Sequence, residues 1–111
     1  LGMTQDDGAY HGGVLHPVVI RHPDSGALAL YVNCNFTTHF EEWSVAESAP
    51  LLEYLYDFST RPEFTARVTW APGTVTIWDN RLVQHFATAD YAGHARLMHR
   101  VTIEGVPLAG V

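Results

Sequence analysis

The sequence contains a single cysteine, Cys34, so no disulfide can form within it; a reducing cytoplasm is the expected location. Positive charge is scarce, with six Lys plus Arg against twelve Asp plus Glu and a formal charge of −6. No basic stripe runs along any segment, and phosphate backbones need clustered cations, so a nucleic-acid partner is not expected. The longest apolar run, Ala27 to Val32, is six residues, against the roughly 20 that a bilayer-spanning helix needs, so no membrane partner is expected either. The opening L-G-M-T-Q-D-D-G is polar and acidic, unlike a signal peptide. There is no Cys pair and no H-E-x-x-H, which removes the common zinc motifs. The chain also does not begin with methionine. Met3 is a candidate start, but the plainer expectation is a piece of a longer protein.

What is present is the material of a packed core. Hydrophobic residues are 47% of 111 and charged residues 16%, the proportions of one small globular domain covering residues 1–111. Residues 1–15 are Gly-rich and read as loop. His16 to Arg21 (H-P-V-V-I-R) is a β-branched run that predicts a strand. His22-Pro23-Asp24-Ser25-Gly26 has turn chemistry throughout, and Ala27 to Val32 predicts the return strand of a hairpin. Residues 44 to 58 predict a helix. Ser44 and Glu47 are spaced as a capping box, and Leu51, Leu52, Leu55, Tyr56 and Phe58 recur at helical intervals. Pro50 in the second turn makes Ser48 a rival N-cap. Residues 66–70, 74–78 and 96–104 alternate as strands, separated by Ala71-Pro72-Gly73 and Asp79-Asn80-Arg81. The expected fold is mainly β with an inserted helix, a sandwich or barrel.

Seven histidines are present, and most have ordinary explanations. His11 lies in a Gly-rich loop, His16 opens a strand, and His39 falls between Thr38 and Phe40. The stretch Trp78 to Arg100 (W-D-N-R-L-V-Q-H-F-A-T-A-D-Y-A-G-H-A-R-L-M-H-R) is different. It closely resembles the taurine dioxygenase family of iron(II)/2-oxoglutarate enzymes, whose pattern runs W-D-N-R, a histidine, A-x-x-D-Y, then an arginine followed by a second one in M-H-R. Upstream, H-P-V-V-x-x-H-P-x-[ST]-G, L-Y-V-N, F-T-T, L-L-x-x-L, R-P-E-F and W-x-P-G extend the likeness to nearly the whole chain.

The resemblance implies the C-terminal half of a double-stranded β-helix, or jelly roll. It implies Fe(II), with 2-oxoglutarate and O₂ as co-substrates and a small anionic molecule as substrate. His85 matches the second histidine of a 2-His-1-carboxylate facial triad, an arrangement that leaves positions open for a 2-oxo acid and O₂. Arg96, eleven residues on, matches the arginine that holds the distal carboxylate of 2-oxoglutarate, for which a planar guanidinium suits. Arg100 matches the arginine that meets the sulfonate of taurine. Phe36 matches a phenylalanine lining the substrate pocket, and a core aromatic is its other reading. Trp78 and Asp79-Asn80 read as the architecture that aims the His85 loop.

Independently of the resemblance, strand alternation would put Arg96 and Arg100 on one face, about 13 Å apart. Two inward arginines demand anions, whereas two surface arginines would pair with Asp or Glu.

The family's first two ligands come from an H-x-D or H-x-E motif, expected upstream of this chain. His22-Pro23-Asp24 has that spacing but is rejected as a ligand pair, because turn chemistry explains it and it falls at the family's hairpin. One histidine cannot complete the site, so the 111 residues alone are expected to be inactive. Half a β-helix also leaves open strand edges, which point to self-association as a homo-oligomer. The competing reading is a truncated, non-catalytic remnant, at most an anion- or partner-binding β-sandwich. A sugar-binding jelly roll using Trp70 and Trp78 accounts for the strands but not for His85, Arg96 and Arg100.

Overall fold

In the computed structural model, residues 1–5 and 13–111 are described. The expected loop at His11 lies outside them. Among the described residues, two three-stranded antiparallel sheets carry one helix. In the first sheet β1 (Gly2–Gln5) lies between β2 (Val14–Pro17) and β5 (Thr37–Phe40); in the second β3 (Val19–Arg21) lies between β4 (Leu28–Leu30) and β6 (Ala109–Gly110). The segment expected to be loop at residues 1–15 therefore contains β1 and the start of β2. Its strand signal was hidden by glycine. Met3 and Gln5 alternate inward in β1, and Gly13 stands at φ 73°, where a Cβ would meet Thr4 Cγ2 at 2.5 Å.

The expected strand at residues 16–21 forms, but it serves both sheets. Val18 is buried at the crossing. Its N–H donates to the Leu1 carbonyl on the first-sheet side (3.0 Å), and its carbonyl accepts from Tyr31 N–H on the second (2.8 Å). Corners where a strand changes sheets are a recognised way of packing two sheets across one another. Pro17, with no N–H to donate, ends β2 at that corner. The hairpin forms as expected: β3 pairs with β4 in the register Val19↔Leu30, Ile20↔Ala29 and Arg21↔Leu28. Its turn closes through His22 N–H to the Ala27 carbonyl (2.8 Å) and Gly26 N–H to the His22 carbonyl (2.9 Å).

The helix α1 (Val45–Ser59) starts at the expected capping box. Glu47 N–H donates to Ser44 Oγ (3.1 Å), and Ser44 N–H donates to Glu47 Oε2 (2.8 Å). Two otherwise orphaned donors are satisfied, and the helix carries Pro50 in its interior with one backbone bond fewer. Ser48 is not the cap. It is fully buried, where its hydroxyl accepts from Phe40 N–H (3.0 Å) and donates to the Ser44 carbonyl (2.9 Å), tying α1 to β5. Of the apolar helix positions, Leu52 is buried with Met3, Val18, Val32 and Phe40, and Leu55 and Tyr56 pack against that cluster.

The strands expected at 66–70, 74–78 and 96–104 do not form. After a short 3-10 turn (Pro62–Phe64), no residue from 65 to 108 lies in a helix or strand. The alternating apolar residues are there, but Ile77 is 90% exposed and Val101 and Ile103 are each 91% exposed. An extended segment becomes a strand only beside a neighbour that accepts its peptide bonds, and none of the described residues supplies one. The total surface of 8951 Å² compares with about 6,100 Å² for a compact monomer of this length. The radius of gyration of 16.0 Å compares with about 13 Å.

Two outcomes follow for stability. Ser48→Ala strands the buried Phe40 N–H and should destabilise by about 1–3 kcal/mol in urea unfolding. The Ser44 hydrogen bonds hold the Glu47 carboxyl below the usual glutamate range. Its contribution is therefore complete above that range and is lost as pH falls through it. Helicity followed by circular dichroism should fall on acidification in the wild type, and that part of the fall should be absent in Glu47→Gln.

Candidate functional site

The W-D-N-R segment is built around Asp79. Arg81 clamps its carboxylate at both oxygens, Nε to Oδ1 (2.8 Å) and Nη2 to Oδ2 (2.7 Å), while Arg81 N–H adds a third bond to Oδ1 (3.0 Å). The Asp79 carbonyl accepts from Leu82 N–H and Val83 N–H (3.0 Å each), which turns the chain towards His85. These bonds, the Arg81 guanidinium first and His22 second, hold the Asp79 carboxyl well below the usual carboxylate range. The same pairing pushes Arg81 up.

Asp79 also reaches across the fold. His22 Nε2 lies 2.9 Å from Asp79 Oδ2, a link between residues 57 apart in sequence. On its other side, His22 Nδ1 accepts from Asp24 N–H and Ser25 N–H, both at 3.2 Å. Both nitrogens of this buried ring are thus engaged by protein groups, and neither is left for a metal ion. This link is the feature that sequence reasoning missed. H-P-D-S-G and W-D-N-R were both visible, but nothing in their spacing says that they touch.

Of the expected site residues, His85 is exposed, with its ring 4.8 Å from that of Trp78. The Trp78 indole N–H donates to Asn80 Oδ1 (2.8 Å), so the aromatic shelf under His85 is tied to the same turn. Arg96 stacks its guanidinium 4.9 Å from the Tyr91 ring centre. Arg100 is exposed in the extended segment. Phe36 is half-exposed in the turn before β5, closed by Phe36 N–H and Thr37 N–H to the Asn33 carbonyl.

Among the described residues, no hydrogen bond, ion pair or ring contact joins any two of His85, Arg96, Arg100 and Phe36. The common strand face expected for Arg96 and Arg100 is not formed, because residues 96–104 are not in a strand. Arg67 and Arg81 are paired with Asp90 and Asp79, whereas Arg96 and Arg100 make no ion pair among the described residues.

A facial triad needs three protein ligands. Among the described residues there is no group of three His, Cys, Asp or Glu side chains that could hold a metal ion. His85 suits one position of such a site, and the described residues do not complete it. No helix among the described residues is long and apolar enough to cross a membrane.

Comparison with known proteins places these residues in context. The chain is 43% identical over 99 residues to an alpha-ketoglutarate-dependent dioxygenase of Penicillium expansum, covering 87% of this chain and 26% of that protein. It is 43% identical over 96 residues to an alpha-ketoglutarate-dependent sulfate ester dioxygenase of Pseudomonas putida (86% of this chain, 32% of that protein). An alkylsulfatase of Acinetobacter baylyi is 40% identical over 95 residues (86% and 30%). The chain thus spans about a third or less of the length of these relatives. The model of the taurine catabolism dioxygenase TauD, TfdA family matches residues 3–102, which include His22, Asp79, His85, Arg96 and Arg100, and the chain belongs to that family.

Proposed function

We propose that this chain is part of a 2-oxoglutarate-dependent dioxygenase that uses O₂ to hydroxylate a small anionic substrate, with release of succinate and CO₂. The substrate is a sulfonate, a sulfate ester or a carboxylate. Residues 1–111 then belong to one jelly-roll catalytic domain, in the C-terminal part of a cytoplasmic protein. His85 is an Fe(II) ligand, Arg96 holds the distal carboxylate of 2-oxoglutarate, Arg100 meets the anionic head of the substrate, and Phe36 lines its pocket.

The observation that carries this reading is the family match over residues 3–102; the spacing of His85, Arg96 and Arg100, which resembles the family's pattern, supports the roles given to them. The sulfate ester named for the Pseudomonas putida relative supports the anionic class. Two further features agree. Neither His85 nitrogen makes a hydrogen bond among the described residues, and Arg96 and Arg100 lack carboxylate partners there, as cations reserved for incoming anions should. A guanidinium supplies the bidentate geometry that a carboxylate or sulfonate needs, and its charge favours that class over neutral analogues.

The test is anaerobic addition of Fe(II) and 2-oxoglutarate to the full-length protein. A metal-to-ligand charge-transfer colour should appear, vanish in His85→Ala, and need roughly 100-fold more 2-oxoglutarate in Arg96→Ala, as the loss of a charge-assisted pair of about 3 kcal/mol implies. Arg100→Ala should leave the colour and raise KM for the anionic substrate. No colour from the wild type would sink the reading.

The exposed apolar segment between residues 65 and 108 also points to self-association of the 111-residue chain on its own. Sedimentation should show dimers or larger species. A clean monomer that melts cooperatively would count against this.

A further inference from the structure

We propose that His22 is a positioning residue for the loop that presents His85. It is held as the Nε2–H tautomer by the β3–β4 turn and fixes Asp79, at the head of that loop, by a hydrogen bond across the fold. The inference rests on the reading of His85 as an iron ligand, and it gives a task to a histidine that the proposed site does not use.

The tautomer follows from the partners. A backbone N–H can only donate, and two of them, from Asp24 and Ser25, point at His22 Nδ1. That nitrogen therefore carries no proton, and the ring's one proton sits on Nε2, aimed at Asp79 Oδ2 2.9 Å away. The connection closes on itself, since Arg81 grips Asp79 from the other side and its Nη2 lies 4.0 Å from Asp24 in the same turn.

Asp79 is the point where this brace acts on the site. Its carbonyl starts the turn through Leu82 and Val83, and its neighbour Trp78 carries the ring on which His85 rests. Without His22, Asp79 keeps Arg81, which reaches the hairpin only through its 4.0 Å approach to exposed Asp24, and the loop keeps the Gln84 side-chain bond to the Val32 carbonyl. His22 is the buried anchor at Asp79 itself, because its backbone is part of the hairpin and its ring is buried.

Two substitutions separate positioning from turn-making. His22→Asn retains an oxygen near the Nδ1 site, which Asn uses readily to accept from the following N–H groups, but it is too short to reach Asp79. His22→Gln places an amide N–H near the Nε2 site. In the full-length protein, a positioning role predicts faster amide exchange at Leu82 and Val83 in His22→Asn, and Fe(II) binding weakened roughly tenfold, the usual scale for loss of a group supporting a metal ligand. Both should return towards wild type in His22→Gln. If His22 only shapes its own turn, His22→Asn will behave as wild type in both readouts, and the proposal falls.

Nitrogen-15 NMR of the wild-type imidazoles adds a check that needs no variant: a proton on His22 Nδ1 would overturn the assignment even if a variant failed to fold. The charge-transfer colour separates the two claims. If His85→Ala loses it and His22→Asn binds iron as tightly as wild type, this inference fails and the reading of His85 stands. If the wild type shows none, the reading of His85 fails, and with it the assignment of His22 as support for a metal ligand.

Discussion

A peptide group taken out of water must find a hydrogen-bonding partner, and this requirement decides which parts of the chain become sheet. Up to about residue 64 the partners lie within the chain. β1 finds β2 and β5, β3 finds β4 and β6, and Val18 serves both sheets with one bond to each. From residue 65 to 108 the sequence is as well patterned for strands as before, yet its peptide groups face no neighbouring strand among the described residues. Apolar side chains follow the backbone. Met3, Val18, Ile20, Val32 and Phe40 are buried where strands pair, and Ile77, Val101 and Ile103 are bare where they do not.

The same requirement explains what could be read from the sequence. The capping box at Ser44 and Glu47 and the turn at Pro23 to Gly26 are satisfied by atoms a few residues away, so a short window contains their whole cause. The motifs that carry the family resemblance, such as W-D-N-R and M-H-R, are likewise local in sequence. β1 was not legible, because four residues with a glycine become a strand only through partners at positions 14–17 and 37–40. The strands expected at 66–70, 74–78 and 96–104 were over-read for the converse reason: alternation records a strand's suitability, and pairing supplies its existence. Ser48 shows an intermediate case. Its place near a helix start suggested a cap, while its actual work, bonding β5 to α1, depends on a strand eight residues earlier.

The candidate site divides along the same line. Asp79, Arg81 and His22 form a set in which the two charges pair with each other and both ring nitrogens are engaged. Arg96 and Arg100 carry charge with no acidic partner among the described residues, and His85 carries an open ring. The paired groups tie the turn at residues 79–83 to the hairpin, and their donors and acceptors are committed there, since a side chain cannot spend the same lone pair or proton twice.

The hairpin turn between β3 and β4 is exposed and would ordinarily be a place where length varies freely. Here two of its backbone amides end on one histidine nitrogen. A residue added between Pro23 and Ser25 would shift those amides off the ring, and the ring would lose the restraint that directs its other nitrogen at Asp79. A surface loop of this kind is fixed in length by a contact made on the far side of the ring it holds, so insertions there should be purged while the neighbouring surface drifts.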